Sequence, residues 1–224
     1  MLKVAIIITI ADSSDKNPGC LEECQRQIDA IQAEERYVFS IFMNTAGEIG
    51  QESIWTQTTK AGYDFYLWID NDLQLAENAL TVFLENSEFL RHKAIIAGTV
   101  ASPGKTLLFG GRTRRGKILK PDPIIPIPCY LFDNNLLLVP SDAIMRLDAP
   151  EELLRRSIID YGCGAKAARA GIPRVIAPGI LAETNRKIEI PIWKNPEYPI
   201  LKRAGSFLKE SGRALARMMH SSFN

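Results

Sequence analysis

The stretch Tyr66-Leu67-Trp68-Ile69-Asp70-Asn71-Asp72 decides how this chain folds, because a run of strand-forming residues ends there in two carboxylates separated by one residue. In an α/β sheet a strand over 65–69 is buried, and the chain surfaces at the strand's carboxyl end, where ligands bind. Two acids placed together there repel one another and favour a cation between them. Mg²⁺ or Mn²⁺ suits such a site when oxygen ligands and substrate phosphates complete the shell. The plainer alternative is a polar turn leading into a helix over 76–86, with Asp72 near that helix's N-terminus. Asp-x-Asp is common, so the surrounding sequence has to choose between the two.

Working outward, strand and helix signals alternate through the first hundred residues. A strand over 4–10 is followed by a helix over 19–33, a strand over 38–43, a helix over 49–61, the strand over 65–69, the helix over 76–86 and a strand over 94–100. This is the βαβ order of a parallel sheet. Neither G-x-G-x-x-G nor a Walker loop is present, which counts against ordinary Rossmann dehydrogenases and P-loop NTPases. From 102 to 128 the pattern changes to Gly, Pro and basic residues, as expected of loops or hairpins inserted into one domain. A strand over 135–139, a short helix after Ser141, a helix over 160–170 ending at Gly171 and a short strand over 174–177 complete the sheet.

Beyond Glu189 the chain turns Pro-rich and then helical, giving a division into 1–189 and a C-terminal extension over 190–224. In that tail Leu201, Leu208, Leu215 and Met218 alternate with Lys202, Arg203, Lys209, Arg213 and Arg217. Such a basic amphipathic helix over 200–219 suits peripheral contact with the inner face of an anionic membrane; packing on the domain or on a second subunit, as in a homodimer, is the simpler use.

The 224 residues are 46% apolar, enough for one sizeable core. With 27 Lys and Arg against 26 Asp and Glu, global charge gives no reason to expect a nucleic-acid partner, so any electrostatic function is local. The apolar run near the start is too short to span a bilayer and lacks a signal-peptide layout, so a cytoplasmic protein is expected. Cys20, Cys24, Cys129 and Cys163 form no disulfide framework, and Cys20 and Cys24 fall on one helix face with Leu21, Ile28 and Ile31, as core residues do.

Several separated segments, in order, resemble glycosyltransferase family 2, whose members have the GT-A fold, over about residues 3–186. Tyr63 to Asp72 resembles the strand that carries that family's metal-binding Asp-x-Asp motif, and Trp55 stands where related sequences often have a Trp. Gly110-Gly111-Arg112 resembles a segment of one bacterial cell-envelope branch, as does the stretch from Cys129 to Pro140 leading into an apolar strand. Ala165 to Gly171 is similar to the family's Leu-Arg-x-Arg-x-Ala-Gly, a register that sets Asp160 at the catalytic-base position. Ile159 then replaces an acid that often precedes the base, and Lys166 replaces an Arg.

The resemblance implies a single GT-A domain, mostly parallel in its central sheet with helices on both faces. It also implies metal-dependent, inverting transfer of a hexosyl or deoxyhexosyl group from a UDP-, dTDP- or GDP-sugar to a glycan or lipid-linked acceptor in cell-envelope polysaccharide synthesis. Such a transfer needs a base for the acceptor hydroxyl and a metal or cationic clamp for the leaving diphosphate. Asp160 is the expected base. Asp70 and Asp72 are expected to hold Mn²⁺ or Mg²⁺ against the diphosphate, with Glu183 standing where many relatives have a metal-binding His.

Thr9, Ala11 and Asp12 after the first strand and Asn44 after the second are expected around the nucleotide, with Asp12 equally readable as a solvated turn residue. Arg112, with Arg114, Arg115 and Lys117, suits a diphosphate or anionic acceptor, or a solvated hairpin. Trp68 belongs to the core; His92 and His220 have no metal-ligand neighbours in sequence. A nucleotidyltransferase is disfavoured by the missing Gly-rich N-terminal signature. Ile159, Asn44 and Glu183 keep open a catalytically impaired family member that binds a nucleotide sugar or glycan.

Overall fold

The computed structural model describes residues 1–10, 18–32, 35–45, 58, 61–147, 161–186, 199 and 205. The chain divides into two compact units, Met1–Arg186 and Lys187–Asn224. The helices expected over 49–61 and 200–219 lie outside the described residues, apart from isolated positions.

The first unit is built on a seven-stranded sheet. Its strands are β1 (Leu2–Ile10), β2 (Tyr37–Thr45), β3 (Phe65–Asp70), β5 (Ile95–Ala97), β9 (Ile127–Pro128), β11 (Leu136–Pro140) and β12 (Arg174–Ile176), in the order β2-β1-β3-β11-β5-β12-β9. Five strands run one way; β11 and β9 run against them. The mostly parallel α/β sheet expected from the sequence is present, with an antiparallel strand at its centre.

The period-two side-chain alternation of strands sorts β1 onto two faces. Val4, Ile6 and Ile8 enter one core with Cys20, Cys24, Ile28 and Ile31 of α1 (Pro18–Gln32) and Leu80, Phe83 and Leu84 of α2 (Ala79–Phe89). Ala5 and Ile7 enter a second core with Ala143 and Ile144 of α3 (Ser141–Leu147) and Cys163 and Ala167 of α4 (Tyr161–Arg169). Helices therefore cover both faces, which is why β1 and β3 are apolar at nearly every position. Leu21, expected on the buried face of α1, is more than a third exposed. The four cysteines are buried free thiols.

Two expected elements differ in outline. The single strand over 94–100 is two strands: β5 stays in the central sheet, while β6 (Val100–Ala101) joins β4 (Gln74–Leu75), β7 (Leu107–Phe109) and β13 (Ala182–Glu183) in a second sheet ordered β4-β13-β6-β7. The break falls at Gly98, where a Cβ would lie 2.6 Å from Leu136 Cδ2 and 3.0 Å from Phe83 Cζ. The helix expected over 76–86 starts instead at Ala79, because Gln74 and Leu75 pair with Glu183 and Ala182 and the Ala76 N–H donates to Leu181 O at 2.8 Å. The stretch over 102–128 does hold hairpins: β7 turns back antiparallel on β6, and Arg112 of β8 (Gly111–Arg112) bridges Ile118, while β8 also pairs with β10 (Leu131–Phe132) beyond the stretch. No described helix is long and apolar enough to cross a membrane.

Candidate functional site

The chain leaves β1 to form β2 on one side and later returns to form β3 on the other. The carboxyl ends of β1 and β3 thus flank a point where the connections part in opposite directions, the place where open α/β sheets leave a crevice for ligands. Register puts Asn44, Thr9 and Asp70 in one row across β2, β1 and β3 at that end, with side chains on the same face of the sheet. Three of the residues expected from sequence around the nucleotide and diphosphate are brought together here. Ala11 and Asp12, which continue the chain from β1, lie outside the described residues.

Asp70 is buried and held from several directions. Its Oδ1 accepts from the Thr9 hydroxyl at 2.6 Å, and its Oδ2 accepts from Asn135 Nδ2 at 2.7 Å and from Arg186 Nη2 at 3.0 Å. The backbone tightens the same corner: Asp70 N donates to Asn135 O at 2.9 Å, and Asn71 N to Thr9 O at 3.0 Å. Asp72 is more open. Its Oδ2 accepts from Thr184 Oγ1 at 3.0 Å and from Arg186 Nε at 2.8 Å, while its Oδ1 is paired with Arg186 Nη2. Asp72 does not cap α2, whose preceding residue Asn78 makes no side-chain capping bond.

Arg186 therefore bridges both carboxylates, its guanidinium lying over the Phe109 ring with Cζ 5.4 Å from the centroid. Burial works against its charge, but the bond to Asp72 and the charges of Asp70 and Asp72 outweigh that and raise its pKa overall. All four carboxylate oxygens of the Asp-x-Asp pair accept bonds from protein N–H or O–H groups. A hard divalent ion needs such oxygens turned toward itself in a near-octahedral shell for Mg²⁺, or a looser oxygen shell for a larger ion. As arranged, the place between the two carboxylates is filled by a guanidinium, and Mn²⁺ or Mg²⁺ fits there only with Arg186 moved aside. Glu183 does not add a third carboxylate, since the extended chain presents its neighbour Thr184 to Asp72, and alternation turns Glu183 the other way. Among the described residues no three His, Cys, Asp or Glu side chains gather to hold a metal.

Arg112 is occupied elsewhere. Its Nε lies 3.0 Å from both Asp133 oxygens and its Nη2 2.8 Å from Oδ2, while Nη1 and Nη2 donate to Gly116 O and Leu108 O. The preceding glycines serve the same fold. Gly110 has φ +148, and a Cβ on Gly111 would lie 2.0 Å from Ile176 Cγ2. Arg114 stacks on Tyr130 at 5.6 Å, and Arg115 and Lys117 are exposed. Trp68 is core, stacked on Tyr66. His92 is a turn residue at φ 59 whose Nδ1 is hydrogen-bonded with the Ser87 hydroxyl at 3.0 Å.

Asp160, Ile159, Trp55 and His220 lie outside the described residues. The helix α4 that begins just after Asp160 is seated closely on β10, where a Cβ on Gly164 would lie 2.9 Å from Leu131 Cα. Asn135, Thr184 and Arg186 were not anticipated from sequence. Asn135 carried a weak signal, standing in the apolar-strand segment that accompanies the Asp-x-Asp motif. Arg186 carries none beyond standing three residues after Glu183.

No family model and no curated protein sequence matches the chain. Solved structures similar to it include A197 from STIV, at 9% identity and TM-score 0.47, covering 83% of this chain and 87% of that one. TarS 1-349 from S. aureus in complex with UDP-GlcNAc is 14% identical at TM-score 0.46, covering 84% of this chain and 60% of that one. A longer S. aureus TarS is 10% identical at TM-score 0.47, covering 92% of this chain and 42% of that one.

Proposed function

We propose that this protein is a glycosyltransferase that moves a sugar from a nucleotide-sugar donor to a hydroxyl acceptor. The observation that carries the proposal is the row of Asn44, Thr9 and Asp70 at the parting point of the sheet, with Asp72 one turn beyond it. A nucleoside fits the ends of β1 and β2, where Asn44 offers both a donor and an acceptor. The diphosphate then falls at the end of β3. This assignment rests on the site's placement together with the sequence resemblance, since α/β sheets with such a crevice host many chemistries.

In the proposed reaction Asp160 takes the proton from the acceptor hydroxyl as its oxygen attacks the anomeric carbon. The bond from that carbon to the diphosphate breaks on the opposite face, inverting the configuration. Asp70, fixed by Thr9 and Asn135, keeps the phosphate-facing end of β3 in one geometry, as positional catalysis requires. A glycan or lipid-linked hydroxyl is the acceptor class we propose.

The test is release of nucleoside diphosphate from a panel of UDP-, dTDP- and GDP-sugars with mixed acceptors, alongside donor binding by calorimetry. Asp160→Asn is expected to lower release by about 10²–10⁴-fold while donor affinity stays unchanged. Binding of one donor without release by the wild type would instead make the protein a nucleotide-sugar-binding module. Absence of both binding and release would sink the proposal.

A further inference from the structure

We infer that Arg186 is the resident cation of the Asp70–Asp72 pair, standing where a divalent metal would stand and meeting the phosphates of a ligand through its own guanidinium. The inference rests on the proposed nucleotide site for its ligand, but its central claim concerns which cation the two carboxylates hold. Two aspartates at a strand end carry opposing requirements. Each is drawn to a cation, and the two like charges repel one another at close range. Arg186 satisfies both with one planar group: Nε and Nη2 reach Asp72, and Nη2 also reaches Asp70 Oδ2 at 3.0 Å. This fork geometry is what guanidinium offers and a lysine ammonium does not.

Thr9 and Asn135 on Asp70 and Thr184 on Asp72 supply the other donors, so that every carboxylate oxygen of the pair accepts at least one bond. The trio keeps one net negative charge, so a divalent ion is still attracted from a distance. What it would not find is a bare carboxylate oxygen. To enter, it would have to displace a guanidinium held by three charge-assisted bonds and seated on the Phe109 ring. Among the described residues the Nη1 group of Arg186 makes no bond, and the side chain is a third exposed. That unspent edge, carrying two N–H donors, is the group available to a phosphate oxygen.

Two measurements on the full chain test this. In the first, Mn²⁺ is titrated into protein and free ion is followed by its electron paramagnetic resonance signal. Wild type is expected to leave the signal unattenuated, and Arg186→Ala to bind one Mn²⁺ in a manner abolished by adding Asp72→Asn. Arg186→Gln, which keeps a polar side chain of similar reach, replaces Arg186→Ala if circular dichroism shows the latter unfolded. Stoichiometric Mn²⁺ binding by wild type that Asp72→Asn removes would overturn the inference whatever Arg186→Ala does.

In the second, UDP and GDP binding is measured by calorimetry in excess EDTA. Binding is expected to persist for wild type and to weaken at least about tenfold in Arg186→Ala, a factor worth about 1.4 kcal/mol. Binding that appears only after Mn²⁺ is added would overturn the inference and leave the nucleotide-sugar proposal standing. Failure of both nucleotides to bind, with or without Mn²⁺, would overturn the proposed nucleotide site and the phosphate role of Arg186. In that case the Mn²⁺ titration would still decide which cation the carboxylates hold.

Discussion

Replacing Arg112 with Ala separates a structural role from a ligand-binding one. The substitution removes an ion pair in which Asp133 is almost fully buried, together with donations to Gly116 O and Leu108 O. Among the described residues it leaves the Asp133 carboxylate with the Gly110 N–H at 3.0 Å as its remaining donor. Breaking a buried pair from one side costs about 3–5 kcal/mol, mostly as the penalty of an uncompensated buried charge. For a unit of this size each kcal/mol moves the melting temperature by about 2–4 °C, so a fall of about 6–20 °C is expected.

The pH dependence sharpens the test. Burial raises the Asp133 pKa, and the bonds and charge of Arg112 only partly offset it. The folded protein therefore binds this proton more tightly than the unfolded chain. Stability from this group falls as pH rises from the ordinary Asp value through the folded one. Without Arg112 the folded pKa rises further, so the gap between variant and wild type should narrow as the solution is acidified. Thermal and urea melts of wild type, Arg112→Ala, Asp133→Asn and the double variant, at several pH values, measure this directly. A variant that melts within about 1 kcal/mol of wild type at neutral pH yet loses donor binding would refute the structural account and return Arg112 to the ligand site.

Thr9→Val keeps the shape of the side chain but removes the 2.6 Å bond to Asp70; a loss of about 1.5–3 kcal/mol is expected in urea unfolding. Gly98→Val forces a side chain into Leu136 and Phe83, and should cost about 1–3 kcal/mol or more, partly recovered by Leu136→Ala in the same chain. Burial, with the Arg36 charge, lowers the His92 pKa, so its contribution to stability is present above the unfolded value of about 6.5 and is lost as pH falls toward the folded one. His92→Asn, which tolerates the left-handed backbone there, should fold and flatten the acid side of the melting profile below pH 6.5.

Much of the fold was legible because both faces of the central strands are buried. The apolar runs of β1 and β3 mark them as interior, and Asp70 and Asp72 mark where the chain comes out. The row of Asn44, Thr9 and Asp70 follows once three parallel strands are aligned by their carboxyl ends. What escaped has physical causes. A strand buried on both faces, such as Leu136 to Pro140, carries no mark of direction, so its antiparallel course could not be read. Gly98 fits a continuous strand pattern until Leu136 and Phe83 are seen pressing on it. Arg112 looked like an exposed cation because its partner Asp133 lies 21 residues on. The partners of Asp72 lie 112 and 114 residues away, in a segment with little regular structure to announce it.

The position of β11 between β3 and β5 sets an order on the making of the protein. A chain emerging from its N-terminus completes β1, β2, β3 and β5 well before residue 136 exists. During that interval β3 presents an unpaired edge and β5, whose neighbours in the sheet are β11 and β12, has no strand partner, leaving the kind of edges on which chains join one another. β5 joins the sheet only when the late segment pairs with both β3 and β5, and β12 follows later still on the far side of β5. Truncation before residue 136 should therefore yield material that aggregates instead of a small folded domain, and the full chain's folding should slow in step with this long-range insertion.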